Sequence, residues 1–331
     1  MVKQEQQARM LTKKDTYTTD YPQCISYCES QESILWTPNE VDMNKDIHDL
    51  KTNLTEPELH AVTTILKLFT LYELHVGNDY WLDYVRKMFP RPDIQRMATM
   101  FGMLEICVHA PFYDKLNEVM GLTDDEFYLS YTKDKVLKDR MTWVERQFKK
   151  DDPLLITAIG SIMEGAVLYS NFAFLKHFQA EGKNKLMNMT AGINFSVRDE
   201  NLHSEAGAWI HKQLKKELAL PDAEYAKKVT RIKETCNQIL EHETRIIDMI
   251  FEKGNIKGIT AGQMVTFIQA RLNICLNQLD IEPMYKITYD PISTWFYKNI
   301  NSGSLHDFFT KQGNNYTRDW VEGKFKWQQQ T

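Results

Sequence analysis

Apolar residues recur at helical spacing along most of the chain from residue 57 onward. The period predicts helices over roughly 57–88, 93–120, 124–149, 153–180, 184–217, 223–253 and 259–278, with Pro90, Pro92, Pro153, Pro221 and the Gly254/Gly258 pair between them. Thr55-Glu56-Pro57-Glu58 reads as a capping box that opens the first of these helices, with proline at the first helical position. Residues 1–53 carry turn residues and scattered aromatics without a sustained period, and few segments alternate as strands do. The expected class is all-α, an antiparallel bundle of long helices joined by short loops. Three regions follow: an N-terminal arm (1–53), a helical domain (54–300) and a C-terminal tail (301–331).

Acids and histidines interrupt the apolar stripes. In Val62, Leu66, Phe69, Glu73, Val76, Tyr80, the period assigns Glu73 to the core, while Asp79 and Asp83 fall off the stripe. The next helix reads Ile94, Ala98, Phe101, Glu105, His109, Phe112, with an acid and an imidazole one turn apart. Glu164 is the only charge between Leu154 and Leu175. The stripe Met189, Ile193, Val197, Glu200, His203, Gly207 adds a second acid and imidazole, at i and i+3 on one face.

One buried Glu or His is commonly structural. Four ionised carboxylates in one core would each cost several kcal/mol unless compensated, and the inward stripes offer no matching bases. Two divalent cations would balance them, +4 against −4. Carboxylate and imidazole donors suit iron or manganese, whereas a structural zinc site favours thiolates. Glu105-Ile-Cys-Val-His109 is one residue longer than Glu200-Asn-Leu-His203, a difference that a local bulge would absorb.

Composition changes this picture little. A net charge of −5 gives no support for a nucleic-acid partner. The five cysteines, at 24, 28, 107, 236 and 275, form no CxxC pair, as expected of reduced thiols, and the N-terminus MVKQEQQARM lacks a signal peptide's apolar core, so a cytoplasmic location is expected. The stretch Leu154–Leu175 is long enough to span a bilayer. A glutamate at its middle would cost roughly 2.5–3.5 kcal/mol there, so it reads as a core helix and no membrane is expected.

Five motifs, in order, resemble the small, radical-generating (beta) subunit of class I ribonucleotide reductase over most of the chain. They are Trp36-Thr-Pro-Asn-Glu-Val-Asp42, His109-Ala-Pro-Phe-Tyr113, Glu164-Gly-Ala-Val-Leu-Tyr-Ser-Asn-Phe172, Arg198-Asp199-Glu200-Asn-Leu-His203 and Asp307-Phe-Phe309. The resemblance implies a ferritin-like bundle whose core holds a dinuclear metal site ligated by Glu73, Glu105, His109, Glu164, Glu200 and His203. Iron in both positions is the first expectation, with Mn/Mn or Mn/Fe as alternatives. Tyr113 matches the tyrosine oxidised to a stable radical, with Phe172 helping to keep its pocket dry, and Trp36 matches the tryptophan that relays an electron through Asp199 and His109.

The implied reaction converts a ribonucleoside diphosphate or triphosphate to its deoxyribonucleotide on a separate large catalytic subunit. Residues 314–331 would dock to that subunit, with Tyr316 as a radical relay for which Trp320 and Trp327 compete. The resemblance also implies a homodimer and, should the metal be manganese, an activating flavoprotein. Glu73 stands where many relatives carry Asp, Leu168 at a site often aromatic, and the basic tail GKFKWQQQT where an acidic one is common. Two other functions fit the ligand pattern: a ferritin-like iron store, which would need neither Trp36 nor a docking tail, and a stand-alone di-metal oxidase, which would need substrate access and could dispense with Asp199.

Overall fold

The computed structural model describes residues 8–149 and 151–297. Its main helices are α1 (Pro22–Ser33), α2 (Glu56–His75), α3 (Pro92–Leu104), α4 (Ala110–Met120), α5 (Lys135–Gln147), α6 (Pro153–Ile162), α7 (Tyr169–Lys176), α8 (Met187–Leu218), α9 (Asp222–Ile250) and α10 (Ala261–Gln278). Wide π-helical turns continue α2 over Val76–Val85, join α3 to α4 over Glu105–His109, and extend α6 over Met163–Val167. Among the described residues there is no strand beyond an isolated bridge between Ile256 and Ile259.

The capping box forms as the sequence implies: the Thr55 hydroxyl accepts the Glu58 N–H and the Glu58 carboxylate accepts the Thr55 N–H. From there α2 packs on α4, α8 on α6, and α9 and α10 close over the remaining faces. The span Pro153–Lys176 is long and apolar enough to cross a membrane, yet 94% of its apolar window is buried inside the fold. A helix that is apolar all round belongs at the centre of a bundle. Gly160 lets the Tyr80 ring lie against the α6 backbone, where any Cβ would collide with it.

Helix α8 has no side-chain cap of its own. Instead Asp46, from the N-terminal arm, accepts the N–H groups of Asn188 (3.2 Å) and Met189 (2.6 Å), and Asp49 accepts that of Leu186 (2.8 Å). These acids fill orphan donors at the positive end of the helix dipole. The arm thereby fixes the start of the helix that carries Glu200 and His203.

The structure departs from the periodicity in three places. The arm contains α1, which buries only Cys24, Cys28 and Gln31, a stripe too narrow and too polar to show as a period. The helix expected over 124–149 is split into a single turn, Asp125–Tyr128, a 3-10 turn, Ser130–Thr132, and α5. Asp124 accepts the Phe127 N–H and Asp134 those of Val136 and Leu137, so two acid caps start two helices where one was expected. The helix expected over 153–180 breaks at Leu168, between the π turn and α7.

Candidate metal centre

Four helical segments each deliver part of one buried cluster. Glu73 comes from the last turn of α2, Glu105 and His109 from the two ends of the turn joining α3 to α4, and Glu164 from the turn after α6. Glu200 and His203 lie on regular α8. All six are buried, none more than 3% exposed.

They form two overlapping groups, Glu73/Glu105/His109/Glu200 and Glu105/Glu164/Glu200/His203, with the donor atoms of each within 4.8 Å of one another. Glu105 and Glu200 belong to both. Each group thus has one histidine, one carboxylate of its own and two shared carboxylates, the donor set of a pair of carboxylate-bridged ions. The extra residue between Glu105 and His109 is taken up by the π turn, which leaves His109 Nδ1 2.8 Å from Glu105 Oε2.

The cluster carries strong electrostatic stress. Among the described residues its carboxylates meet no Lys or Arg, and the only groups in reach that can carry positive charge are the two imidazoles: His109 Nδ1 is 3.2 Å from Glu200 Oε1, and His203 Nδ1 is 2.6 Å from Glu105 Oε1. Burial, then the charge of Glu105, raises the Glu73 carboxyl well above the usual carboxylate range, and burial with Glu200 does the same to Glu164. Burial and Glu105 push Glu200 up to about 8. Burial also works against charge on Glu105, but His109 and His203 outweigh it and hold that carboxyl below the ordinary range.

Glu73 Oε1, Glu105 Oε1, Glu200 Oε1 and His203 Nδ1 have no aligned hydrogen-bond partner. Buried acceptors rarely stay unpaired in a finished protein core. Hard carboxylate oxygens and an imidazole nitrogen converging without aligned partners fit a dinuclear metal site.

The remaining nitrogens of both histidines are tied down. His109 Nε2–H donates to Asp199 Oδ2 (3.1 Å), and the same carboxylate accepts Trp36 Nε1–H (2.7 Å) and Gln31 Nε2–H (3.0 Å). Gln31 Oε1 in turn accepts His203 Nε2–H at 3.2 Å. With both Nε2 atoms donating outward, both Nδ1 atoms face the carboxylates, placed to bind a cation once unprotonated. Gln31 is a contribution that the sequence reading missed, as is Trp81, whose Nε1–H donates to Glu164.

Tyr113 is fully buried beside the cluster, its ring 4.5 Å from Phe69 and 5.0 Å from Phe112, with Phe172 5.7 Å from Phe69. Its hydroxyl makes no aligned hydrogen bond. Burial, reinforced by the charge of Glu73, raises the phenol well above its ordinary pKa. Trp36 is buried too, its ring 6.0 Å from the His109 ring. The structure therefore gathers Glu73, Glu105, His109, Glu164, Glu200, His203, Asp199, Trp36 and Tyr113 in one place. Tyr316, Trp320, Trp327 and Asp307–Phe309 lie outside the described residues.

Comparison with known proteins gives a consistent answer. A ribonucleoside-diphosphate reductase subunit beta of Halalkalibacterium halodurans is 28% identical, over 88% of this chain and 84% of that one. A probable ribonucleoside-diphosphate reductase small subunit of invertebrate iridescent virus 3 is 25% identical, over 97% and 89%. The fold is similar to that of the dimanganese(II) NrdF of Streptococcus sanguinis, with a TM-score of 0.75 and 19% identity over 88% of this chain and 99% of that one. The family described as "Ribonucleotide reductase, small chain" matches residues 13–291, and on that match this ferritin-like helical protein belongs to the ribonucleotide reductase small-chain family.

Proposed function

We propose that the chain is the radical-generating small subunit of a class I ribonucleotide reductase, with Tyr113 as the residue oxidised. The observation that carries this reading is the pair of four-donor groups sharing Glu105 and Glu200, with a fully buried phenol beside them. When bound, a pair of iron ions, or of manganese or one of each, would supply the oxidising power, drawn from O₂, that removes one electron from Tyr113.

The chain's own residues set the conditions for that step. Phe69, Phe112 and Phe172 exclude water from the Tyr113 pocket, so a phenoxyl formed there is shielded from quenching. The Oη proton must leave with the electron, and Glu73 is the acid whose charge acts most strongly on it. Asp199 holds both Trp36 and His109 by hydrogen bonds, a path by which Trp36 delivers an electron to the cluster. It also fixes the tautomer of His109.

The substrate is reduced on a separate large subunit. The relatives named for ribonucleoside diphosphates favour that substrate over a triphosphate. In this reading residues 1–53 are the arm that carries the relay Trp36, 54–300 the di-metal domain, and 301–331 the docking tail, with Tyr316 passing the hole onward. The working unit is a cytoplasmic homodimer, and a manganese form would call on an activating flavoprotein.

The test is electron paramagnetic resonance. Metal-free protein given Fe(II) and then O₂ develops a tyrosyl signal, as does the Mn(II) form with its flavoprotein, and Tyr113→Phe abolishes it while both ions stay bound. O₂ consumption without any radical in either metal form would favour the stand-alone oxidase. With large subunit added, deoxynucleotide should form, and removing 314–331 should end that turnover while the radical survives.

A further inference from the structure

Arg271, on α10, is 2% exposed, and among the described residues no carboxylate lies within ion-pair distance of it. A buried guanidinium of this kind is tolerated only where its donors are filled. Nε donates to the Gly165 carbonyl oxygen (2.8 Å), Nη2 to Asn201 Oδ1 (3.2 Å) and Nη1 to the Tyr297 hydroxyl (2.8 Å). The guanidinium carbon also lies 3.9 Å from the centre of the Tyr169 ring, whose hydroxyl donates to the same Asn201 oxygen at 2.8 Å.

Two of these acceptors are immediate chain neighbours of cluster acids: Gly165 follows Glu164 and Asn201 follows Glu200. Gly165 lies in the π turn after α6, wedged so closely against Ser204 and Cys275 that a Cβ would not fit. A wide turn is held less firmly by its own hydrogen bonds than an α-helix is. An outside donor fixed to one of its carbonyls therefore helps to set where the turn, and Glu164 with it, comes to rest.

We propose that Arg271 is a positioning residue for the metal centre, clamping the turn that carries Glu164 to the α8 turn that carries Glu200, with Tyr297 Oη as its third anchor. The proposal rests on the reading that the six-residue cluster binds two ions. It assigns the clamp to one half of the site: Glu164 belongs only to the group containing His203, so that ion depends on Arg271 more than its neighbour does.

The experiment is a Mn(II) titration of the full chain, followed by calorimetry and by the Mn(II) paramagnetic spectrum, with thermal unfolding measured in parallel. Arg271→Met should weaken one of the two ions by roughly tenfold or more and leave the other within about threefold. Tyr297→Phe should act in the same direction, more mildly. Phe267→Leu thins the packing on Phe296 (ring centres 4.9 Å apart) and Tyr297 (6.4 Å) without removing the clamp, and should lower thermal stability with both affinities kept. Unchanged affinities in Arg271→Met, equal weakening of both ions, or the same weakening in Phe267→Leu would overturn the assignment. If Arg271→Met does not fold, Tyr297→Phe decides, and unchanged binding there overturns it. Wild-type protein that binds fewer than two ions would instead overturn the reading of the cluster, and the clamp with it.

Discussion

Loading the cluster with metal should expel about four protons for every two ions, because the site is electrically neutral both with and without them. Without metal, Glu73 and Glu164 are raised well above the carboxylate range, chiefly by burial, and Glu200 to about 8, so all three acids resist ionisation inside the metal-free core. Burial opposes charge on His109, but Glu105, Asp199 and Glu200 around it outweigh that, so its imidazole is also protonated and cancels the single charge of Glu105. With two dications bound, four carboxylates must be ionised and His109 Nδ1 must be free, which again sums to zero. Four protons have been exchanged for two dications.

The sign follows from the raised pKa values: protons held by the metal-free fold must be displaced, so affinity rises with pH. The overall binding constant should gain about four decades per pH unit below pH 8, about 5 kcal/mol shared by two ions. Above about 8 Glu200 has already ionised, and the slope should fall. Anaerobic Mn(II) calorimetry in pairs of buffers with different ionisation enthalpies counts the protons directly. Glu200→Gln should lower the count by about one. Release of fewer than two protons per pair of ions, or an affinity that is flat between pH 6.5 and 7.5, roughly the window these groups define, would refute the charge argument.

Asp199→Leu strips acceptors from Trp36, Gln31 and His109 together, and should weaken metal binding by roughly 10- to 100-fold in competition with a chelator. Trp36→Phe should leave both ions bound but slow the delivery of the extra electron, as seen by stopped-flow absorbance during oxygenation. Gly160→Ala forces a methyl into the Tyr80 ring, and calorimetric unfolding should show a loss of about 1–3 kcal/mol. Deleting the exposed Cys107 restores Glu-x-x-His spacing between Glu105 and His109; the turn should revert to a regular helix, with two ions still bound in a Mn(II) titration.

The bundle and the six candidate ligands were legible for one physical reason: an ionisable group inside an apolar stripe is conspicuous. Glu164, the single charge in its helix, is the clearest instance. Groups that act on the ligands from outside lack that contrast. Gln31 is uncharged and sits on a helix that buries only three positions. Trp81 neighbours Tyr80 on the stripe and faces Glu164 in a segment widened over Val76–Val85, where a period of 3.6 no longer tells which side chains point inward. Arg271 looks like any surface arginine until its three acceptors, 26 to 106 residues away, are brought around it. Asp46 caps a helix 142 residues further on, a pairing no local pattern encodes.

The widened turns show why the period located the acids and histidines of the cluster without resolving their exact setting. Three of the four ligand-bearing segments contain or run into a π turn, while Glu200 and His203 stay on a regular helix. A π turn holds one more residue than an α turn and weakens the local ladder, a cost met mostly at functional sites. Here it brings the five residues from Glu105 to His109 through one turn, so that both side chains meet the same carboxylates as the shorter Glu200–His203 pair. Hydrophobic periodicity averages over several turns and cannot register one added residue. The stripe thus reports which helix faces the core, and the local departure from α geometry decides where on that face each candidate ligand points.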